Sequence, residues 1–260
     1  RRAIAGSYRE EKNYEEAVRQ YLSLIAMDKE READWQRDVV GTWRDASKWA
    51  KAIATYQTLL KVDADRFSEY NWGIAECHEK LSKWKEAIRH LDEYLGRYPD
   101  TEERIPARYL LAKSLQSSAA EIRENVSDSM PVNARKELFL SLSQTLNRAG
   151  DEYRALQQSL QALQVTGMLD DYGQEMYRTT FMAIPQTQFE QERYADALVG
   201  FRMVTSRFAD HVSTLPAYIQ MSRCYSRLEN PDEARRQLEQ ARVVLGRLPH
   251  EAFASLSTGQ

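Results

Sequence analysis

One phrase, an aromatic residue followed by alanine three positions later and a large residue four after that, recurs at a fixed interval and restricts what this chain can fold into. It reads NYEEAVRQY at 13–21, KWAKAIATY at 48–56 and KWKEAIRHL at 83–91, aligning Tyr14/Ala17/Tyr21 with Trp49/Ala52/Tyr56 and Trp84/Ala87/Leu91. Successive alanines lie 35 residues apart. The phrase returns as RYADALVGF, with Tyr194, Ala197 and Phe201, and as NPDEARRQL, with Pro231, Ala234 and Leu238. Steps of three and four place these residues on one face of a helix. Alanine there lets a second helix approach closely, and the large residue one turn on fills the groove beside it. The aromatic residue sits at the helix start, where proline is also tolerated because the first turn has spare N–H groups.

A second helix is marked upstream of each phrase. Ala5/Tyr8, Val40/Trp43, Ala75/His78 and Ser222/Tyr225 precede their alanines by twelve and nine residues. Two helices of about a dozen residues cannot bury their apolar faces alone, whereas stacked pairs can. The expected fold is therefore all-α, an α–α superhelical solenoid of helix pairs. Composition agrees: 42% of the 260 residues are hydrophobic, glycine and proline number only 10 and 7, and helix-forming residues dominate. A net charge of −3 lacks the basic excess of a nucleic-acid binder. No apolar run is long enough to cross a bilayer. The chain opens on Arg1 without a signal-like region and reads as a piece of a longer protein. Cys77 and Cys224 lack metal-site spacing and read as small buried hydrophobes.

Between Thr101 and Thr166 the short pairs give way to a longer period. Leu142, Leu146, Ala149, Tyr153, Leu156, Leu160 and Leu163 step by four and three, straight through Gly150. A turn at 149–151 competes with this reading, but it would break an intact phase. The pattern predicts one helix over about 133–163, roughly 45 Å long at ~1.5 Å per residue. Its partner is expected over 105–126, with the turn at 128–131. Beyond Gly167 the short pattern resumes in a helix that carries Tyr177 and Phe181, is kinked by Pro185 and runs through Phe189. The expected organisation is three helix pairs over 1–100, a long antiparallel helical hairpin over 101–166, two further pairs over 167–248, and a tail over 249–260.

These residues resemble the tetratricopeptide repeat family. Its motif has a small residue at position 8, aromatics at 11 and 17, alanine at 20, an aromatic or leucine at 24, and often proline at 32. Pro99 matches the last position, whereas Ala64 and Ala209 replace it. The likeness covers about three quarters of the chain. RYPDTEERIPARY (97–109) and RFADHVSTLPAY (207–218) share a junction in which Asp100 or Asp210 leads into a helix starting at Pro106 or Pro216. That plan resembles repeats of bacterial envelope proteins such as the Tol–Pal coordinator and outer-membrane assembly lipoproteins.

No phosphate loop, nucleophile elbow, HExxH or dinucleotide fingerprint is present. Among His78, His90, His211 and His250 none has a second ligand at metal spacing, and His78 takes an aromatic core position. The acidic pairs Glu102/Glu103 and Asp170/Asp171 read as charge at helix starts. Asn125-Val126-Ser127 fits a glycosylation sequon. No cofactor, metal or catalytic residue is expected.

The resemblance implies a concave groove lined by positions 2, 5, 9 and 12 of each first helix. Here those are Arg2, Gly6 and Arg9; Asp34, Arg37, Gly41 and Arg44; and Glu69, Trp72, Glu76 and Glu79. Arg2, Arg9, Arg37, Arg44 and Trp72 are the binding candidates, with arginine forks for carboxylates and Trp72 as an exposed aromatic anchor. The same arginines also suit a solvated face on which they pair with neighbouring Asp and Glu. The positions that clamp chaperone C-termini in this family hold Arg2, Gly6, Asp38, Glu69 and Gly73, and only the first keeps the needed charge.

The functional expectation is a non-catalytic scaffold that binds a partner protein or peptide through the groove or the long hairpin. Charge reversal at Arg37 and Arg44 should then weaken capture. The alternatives are a structural segment of a bacterial envelope assembly and a helical superstructure of an enzyme whose catalytic domain lies elsewhere. Nucleic acid is not an expected partner. End-to-end self-association fits apolar solenoid ends, and the junction likeness favours the periplasm or cell envelope over the cytoplasm.

Overall fold

The computed structural model describes residues 1–98 and 104–248, and all regular structure among them is helical. Pro99, Asp100, Glu102, Glu103, His250 and the expected tail lie outside the described residues. The chain divides into two compact units, Arg1–Ser118 and Ala119–Gln260.

Unit 1 contains α1 (Arg2–Glu10), α2 (Tyr14–Met27), α3 (Glu32–Asp45), α4 (Trp49–Val62), α5 (Phe67–Lys80), α6 (Trp84–Arg97) and most of α7 (Arg104–Glu124). From α1 to α6 each helix packs against the next. Tyr14, Trp49 and Trp84 are the first residues of α2, α4 and α6, as the phrase requires, and each is half-buried. Ala17, Ala52 and Ala87 are fully buried. Ala5 and Ala75, on the first helices of their pairs, are fully buried too, so small residues meet where the helices come closest.

The turns inside the pairs share one geometry. Lys12, Ser47 and Ser82 adopt left-handed backbone with φ of 60°, 54° and 54°. Glu192 and Glu229 do the same in unit 2 at 62° and 56°. The residue after each donates its N–H to a carbonyl five residues back: Asn13 to Tyr8 (2.8 Å), Lys48 to Trp43 (2.8 Å) and Lys83 to His78 (2.9 Å). This closes the helix end and satisfies carbonyls that would otherwise be orphaned. The position favours glycine, yet none of these five has it.

Unit 2 contains the end of α7, then α8 (Val132–Val165), α9 (Asp171–Glu190), α10 (Tyr194–Arg207), α11 (Thr214–Arg227) and α12 (Pro231–Arg247). The 34 residues of α8 run unbroken through Gly150, about 51 Å at ~1.5 Å per residue. Leu142, Leu146, Ala149, Tyr153, Leu156 and Leu160 are buried along it, and Leu163 is half-buried. Gly150 is where α9 crosses: a Cβ there would lie 3.3 Å from Thr187 Oγ1. The glycine therefore marks a close approach, and no turn forms.

Ala119 and Ile122 of α7 pack on Leu142 and Leu146. The α7–α8 connection covers 125–131, slightly wider than the expected turn. Pro185 lies inside a continuous α9, and Gly200 of α10 fits against it, since a Cβ at 200 would meet Pro185 Cβ at 2.6 Å. Asp170 caps α9 by accepting from Gly173 N at 2.7 Å. Asp210 does not cap α11, whose N-cap residue is Ser213; Pro216 sits in its first turn.

The residue four after the alanine is buried in four of the five phrases. Tyr21, Tyr56, Leu91 and Phe201 are 6% exposed or less, whereas Leu238 on α12 is 51% exposed. Leu91→Ala should therefore cost about 2–5 kcal/mol in chemical unfolding, and Leu238→Ala under about 1 kcal/mol. Equal losses would show that burial is not what sets the contribution of this position. Separately, Ser47→Gly or Ser82→Gly should stabilise unit 1 by roughly 0.5–1 kcal/mol by relieving left-handed strain, read as a higher denaturant midpoint.

Candidate functional site

Three of the five arginine and tryptophan candidates converge. Arg9 of α1 and Arg37 and Arg44 of α3 line a cavity of about 310 Å³ together with Gly41, Tyr56 and Tyr70. Repetition at 35 residues explains the gathering, because positions 5 and 12 of successive first helices face the same side. Arg2 and Trp72 do not line this cavity. Arg2 reaches Asp38 at 3.4 Å and lies 5.5 Å over the Trp35 ring. Trp72 is half-buried, 6.1 Å from the Tyr94 ring, and is not the exposed anchor expected of it. Its breadth fills the space between α5 and α6.

The arginines pair with this chain's own acids, mostly across helices. Arg37 contacts Asp34, donates to Asp63 Oδ2 at 2.5 Å and to Tyr70 Oη at 3.1 Å. Tyr70 in turn donates to Asp63 at 2.6 Å. Burial, followed by this bond to Asp63, pushes the Tyr70 hydroxyl up to about 12, with Arg37 opposing. Arg44 donates to Tyr56 Oη at 2.9 Å and to Glu76 Oε2 at 3.1 Å. Burial raises the Glu76 carboxyl above its ordinary value despite Arg44. Arg9 donates through Nε to Asp45 at 2.5 Å. Its hydrogen bond to Asp45 keeps the guanidinium above its usual value. Farther along, Glu79 is 7% exposed and its carboxyl is held below its ordinary value: burial opposes the charge, and Lys113 Nζ at 2.8 Å together with Lys80 Nζ at 3.3 Å more than offsets it.

Two glycines make room for side chains that line the cavity. A Cβ at Gly73 would lie 2.3 Å from the Tyr56 ring, and one at Gly41 would lie 3.1 Å from Arg9 Nη2. Tyr56, Tyr70, Asp63 and Gly73 are the participants that sequence reasoning missed. A glycine inside a helix was the available signal for Gly73. The cavity offers guanidinium N–H donors and tyrosine hydroxyls beside the carboxylates of Asp45 and Glu69, and the donors can hold acceptor groups.

Chemistry elsewhere is sparse. Among the described residues no group of three His, Cys, Asp or Glu could hold a metal, and no helix is long and apolar enough to cross a membrane. Cys77 and Cys224 are buried, and burial pushes both thiols up to about 11. In unit 2 a cavity of about 680 Å³ is lined by Glu175, Arg178, His211, Val212, Leu215 and Pro216. A further cavity of about 570 Å³ lies between Arg123, Phe139, Leu142 and Glu190. Asn125 is exposed in the α7–α8 connection.

Residues 44–101 match the tetratricopeptide repeat family. No curated protein sequence matches the chain. BtubC (BKLC) from P. vanneervenii shares the fold at 10% identity with a TM-score of 0.57, covering 90% of this chain and 89% of that one. MamA does so at 14% identity and 0.53, covering 80% and 95%. YrrB, described as a TPR protein with an unusual peptide-binding site, aligns at 15% identity and 0.52, covering 92% and 97%. At these identities the likeness is one of fold.

His78 and His90 stack with ring centroids 5.3 Å apart and planes within 13°. Burial first, then His90, lowers the basicity of His78; burial, then Arg89, lowers that of His90. Glu86 opposes both shifts, Glu93 opposes that of His90, and Lys83 adds to that of His78. A base whose folded value lies below its unfolded value of about 6.5 contributes stability above that pH and loses it as pH falls further. Unfolding midpoints should therefore drop from pH 7 to 5, and His78→Phe with His90→Phe should flatten the drop. An unchanged pH profile in the double variant would refute this assignment.

Proposed function

We propose that this chain is a non-catalytic protein-interaction module that holds an extended segment of a partner protein across α1, α3 and α5 of unit 1. Tetratricopeptide-fold proteins generally mediate protein–protein interactions, and residues 44–101 match that family. The observation that carries the reading is the cavity shared by Arg9, Arg37, Arg44, Tyr56 and Tyr70, with Gly41 in its lining. Gly41 presents no side chain to the cavity, and Gly73, buried beside it, leaves room for the Tyr56 ring that lines it. Donors aimed at one side suit the carbonyls and carboxylates of an extended peptide. YrrB's described peptide-binding site is a fold-level parallel.

A second reading places the docking surface on the long hairpin, where Phe139 and Leu140 of α8 are exposed beside the cavity at Leu142. In either case the organisation we propose is three pairs, a hairpin and two further pairs. A role as a structural segment of an envelope assembly rests on the matched junctions at Pro106 and Pro216, and full-length sequence bearing an export signal would support it.

Arg37 and Arg44 hold the helices of unit 1 together, so charge reversal there would confound binding with stability. Mapping by amide exchange avoids the difficulty. Degenerate octapeptide pools retained by the protein should slow exchange in α1, α3 and α5. Protection confined to 123–146 would move the site to the hairpin, and protection in neither region would sink the interaction reading.

A further inference from the structure

We propose that the partner is anchored by a carboxylate held on the two terminal nitrogens of Arg9, in the space above Gly41; this rests on the peptide-groove reading of unit 1. The repeat itself supplies the comparison. Arg9 and Arg44 occupy the same position one repeat apart, as do Tyr21 and Tyr56, and as do Gly41 and Glu76. In the second instance the site is complete: Arg44 Nη1 donates to Tyr56 at 2.9 Å, and Nη2 donates to the Glu76 carboxylate at 3.1 Å. In the first instance the residue that would supply the carboxylate is glycine.

Arg9 is held by Asp45 through Nε alone, at 2.5 Å. Its Nη1 and Nη2 have no hydrogen-bond partner among the described residues. They lie 3.2 and 3.1 Å from where a Cβ of residue 41 would be. The two other arginines of the cavity are occupied at both terminal nitrogens, Arg37 by Asp34, Asp63 and Tyr70, and Arg44 by Tyr56 and Glu76.

An incoming carboxylate can therefore accept two parallel N–H bonds from Arg9, a geometry in which arginine is specific. Asp45 does not forbid it. Arg37 already carries two carboxylates at once, Asp34 and Asp63, on different nitrogens. Asp45 fixes the guanidinium from its Nε edge and leaves the Nη edge for the ligand. The carboxylate can come from an Asp or Glu side chain or from a peptide C-terminus, and the chemistry at Arg9 is the same.

Four pools of N-acetylated octapeptides, degenerate in non-acidic residues, separate these cases. One has Glu fixed at the fourth position and an amidated C-terminus. The second replaces that Glu with Gln. The third has no fixed acid and a free C-terminus, and the fourth is its amide. The wild type should prefer a carboxylate pool over its neutral twin by roughly tenfold, the order expected of a bidentate charge-assisted contact. Whichever carboxylate pool shows the preference identifies its source.

Gly41→Ala keeps every charge and raises helix propensity, so its thermal midpoint should equal or exceed that of the wild type. Its added methyl takes the space that faces Nη1 and Nη2 of Arg9, and the carboxylate preference should vanish while binding of the neutral pools persists. Arg9→Gln should abolish the preference as well. Equal retention of Glu and Gln pools, and of free and amidated pools, with α3 and α5 still protected from exchange, overturns the carboxylate anchor and leaves the groove standing. A preference that survives both substitutions places the carboxylate elsewhere and also overturns it. Retention of no pool removes the groove reading and this inference together.

Discussion

Close approach at alanine is the interaction on which the rest of this structure depends. Ala17, Ala52, Ala87 and Ala197 have no exposed surface, and each sits where the second helix of a pair meets its neighbours. Because the side chain stops at Cβ, the large residue one turn on can reach under the following helix. Tyr56 does so into the space that Gly73 leaves. Burial is thus handed from pair to pair, as expected of a repeat whose members cannot close their own cores.

The same economy of shape recurs wherever a helix needs to come near another. Gly150 against Thr187 and Gly200 against Pro185 let α9 lie close to both its neighbours, although α8, at 34 residues, is far longer than the 14 residues of α10. The turns carry the opposite bias. Five non-glycine residues accept left-handed backbone, held there by bonds back to the carbonyl of the preceding helix. A turn of fixed geometry keeps the two helices of each pair in constant register, and that register brings Arg9, Arg37 and Arg44 to one side.

Several charges on the first helices of unit 1 are matched from within. Arg2 with Asp38, Arg9 with Asp45, Arg44 with Glu76 and Lys113 with Glu79 link each first helix to the next. Exposed pairs of this kind contribute little stability individually, but they orient guanidinium groups that would otherwise sample many rotamers. The cavity presents its donors in a preset arrangement as a result. Arg9 differs from its repeat-mates because a glycine stands where the next repeat places glutamate.

Local chemistry in the sequence determined the helical class, the first residues of the phrase-bearing helices and the unbroken long helix. Each of these follows from the spacing of small and large apolar residues along one segment, and Leu142 through Leu160 kept their phase across Gly150 as that spacing required. The candidate site was legible only as a set of positions, which the 35-residue interval places on one side. Only tertiary structure decided which of those positions meet. Trp72 turned inward against Tyr94, Arg2 lay over Trp35, and Asp63 came back from a connection to join Arg37 and Tyr70. Side-chain partners across helices depend on rotamer and on distances between segments, and neither is encoded in the period of a single helix.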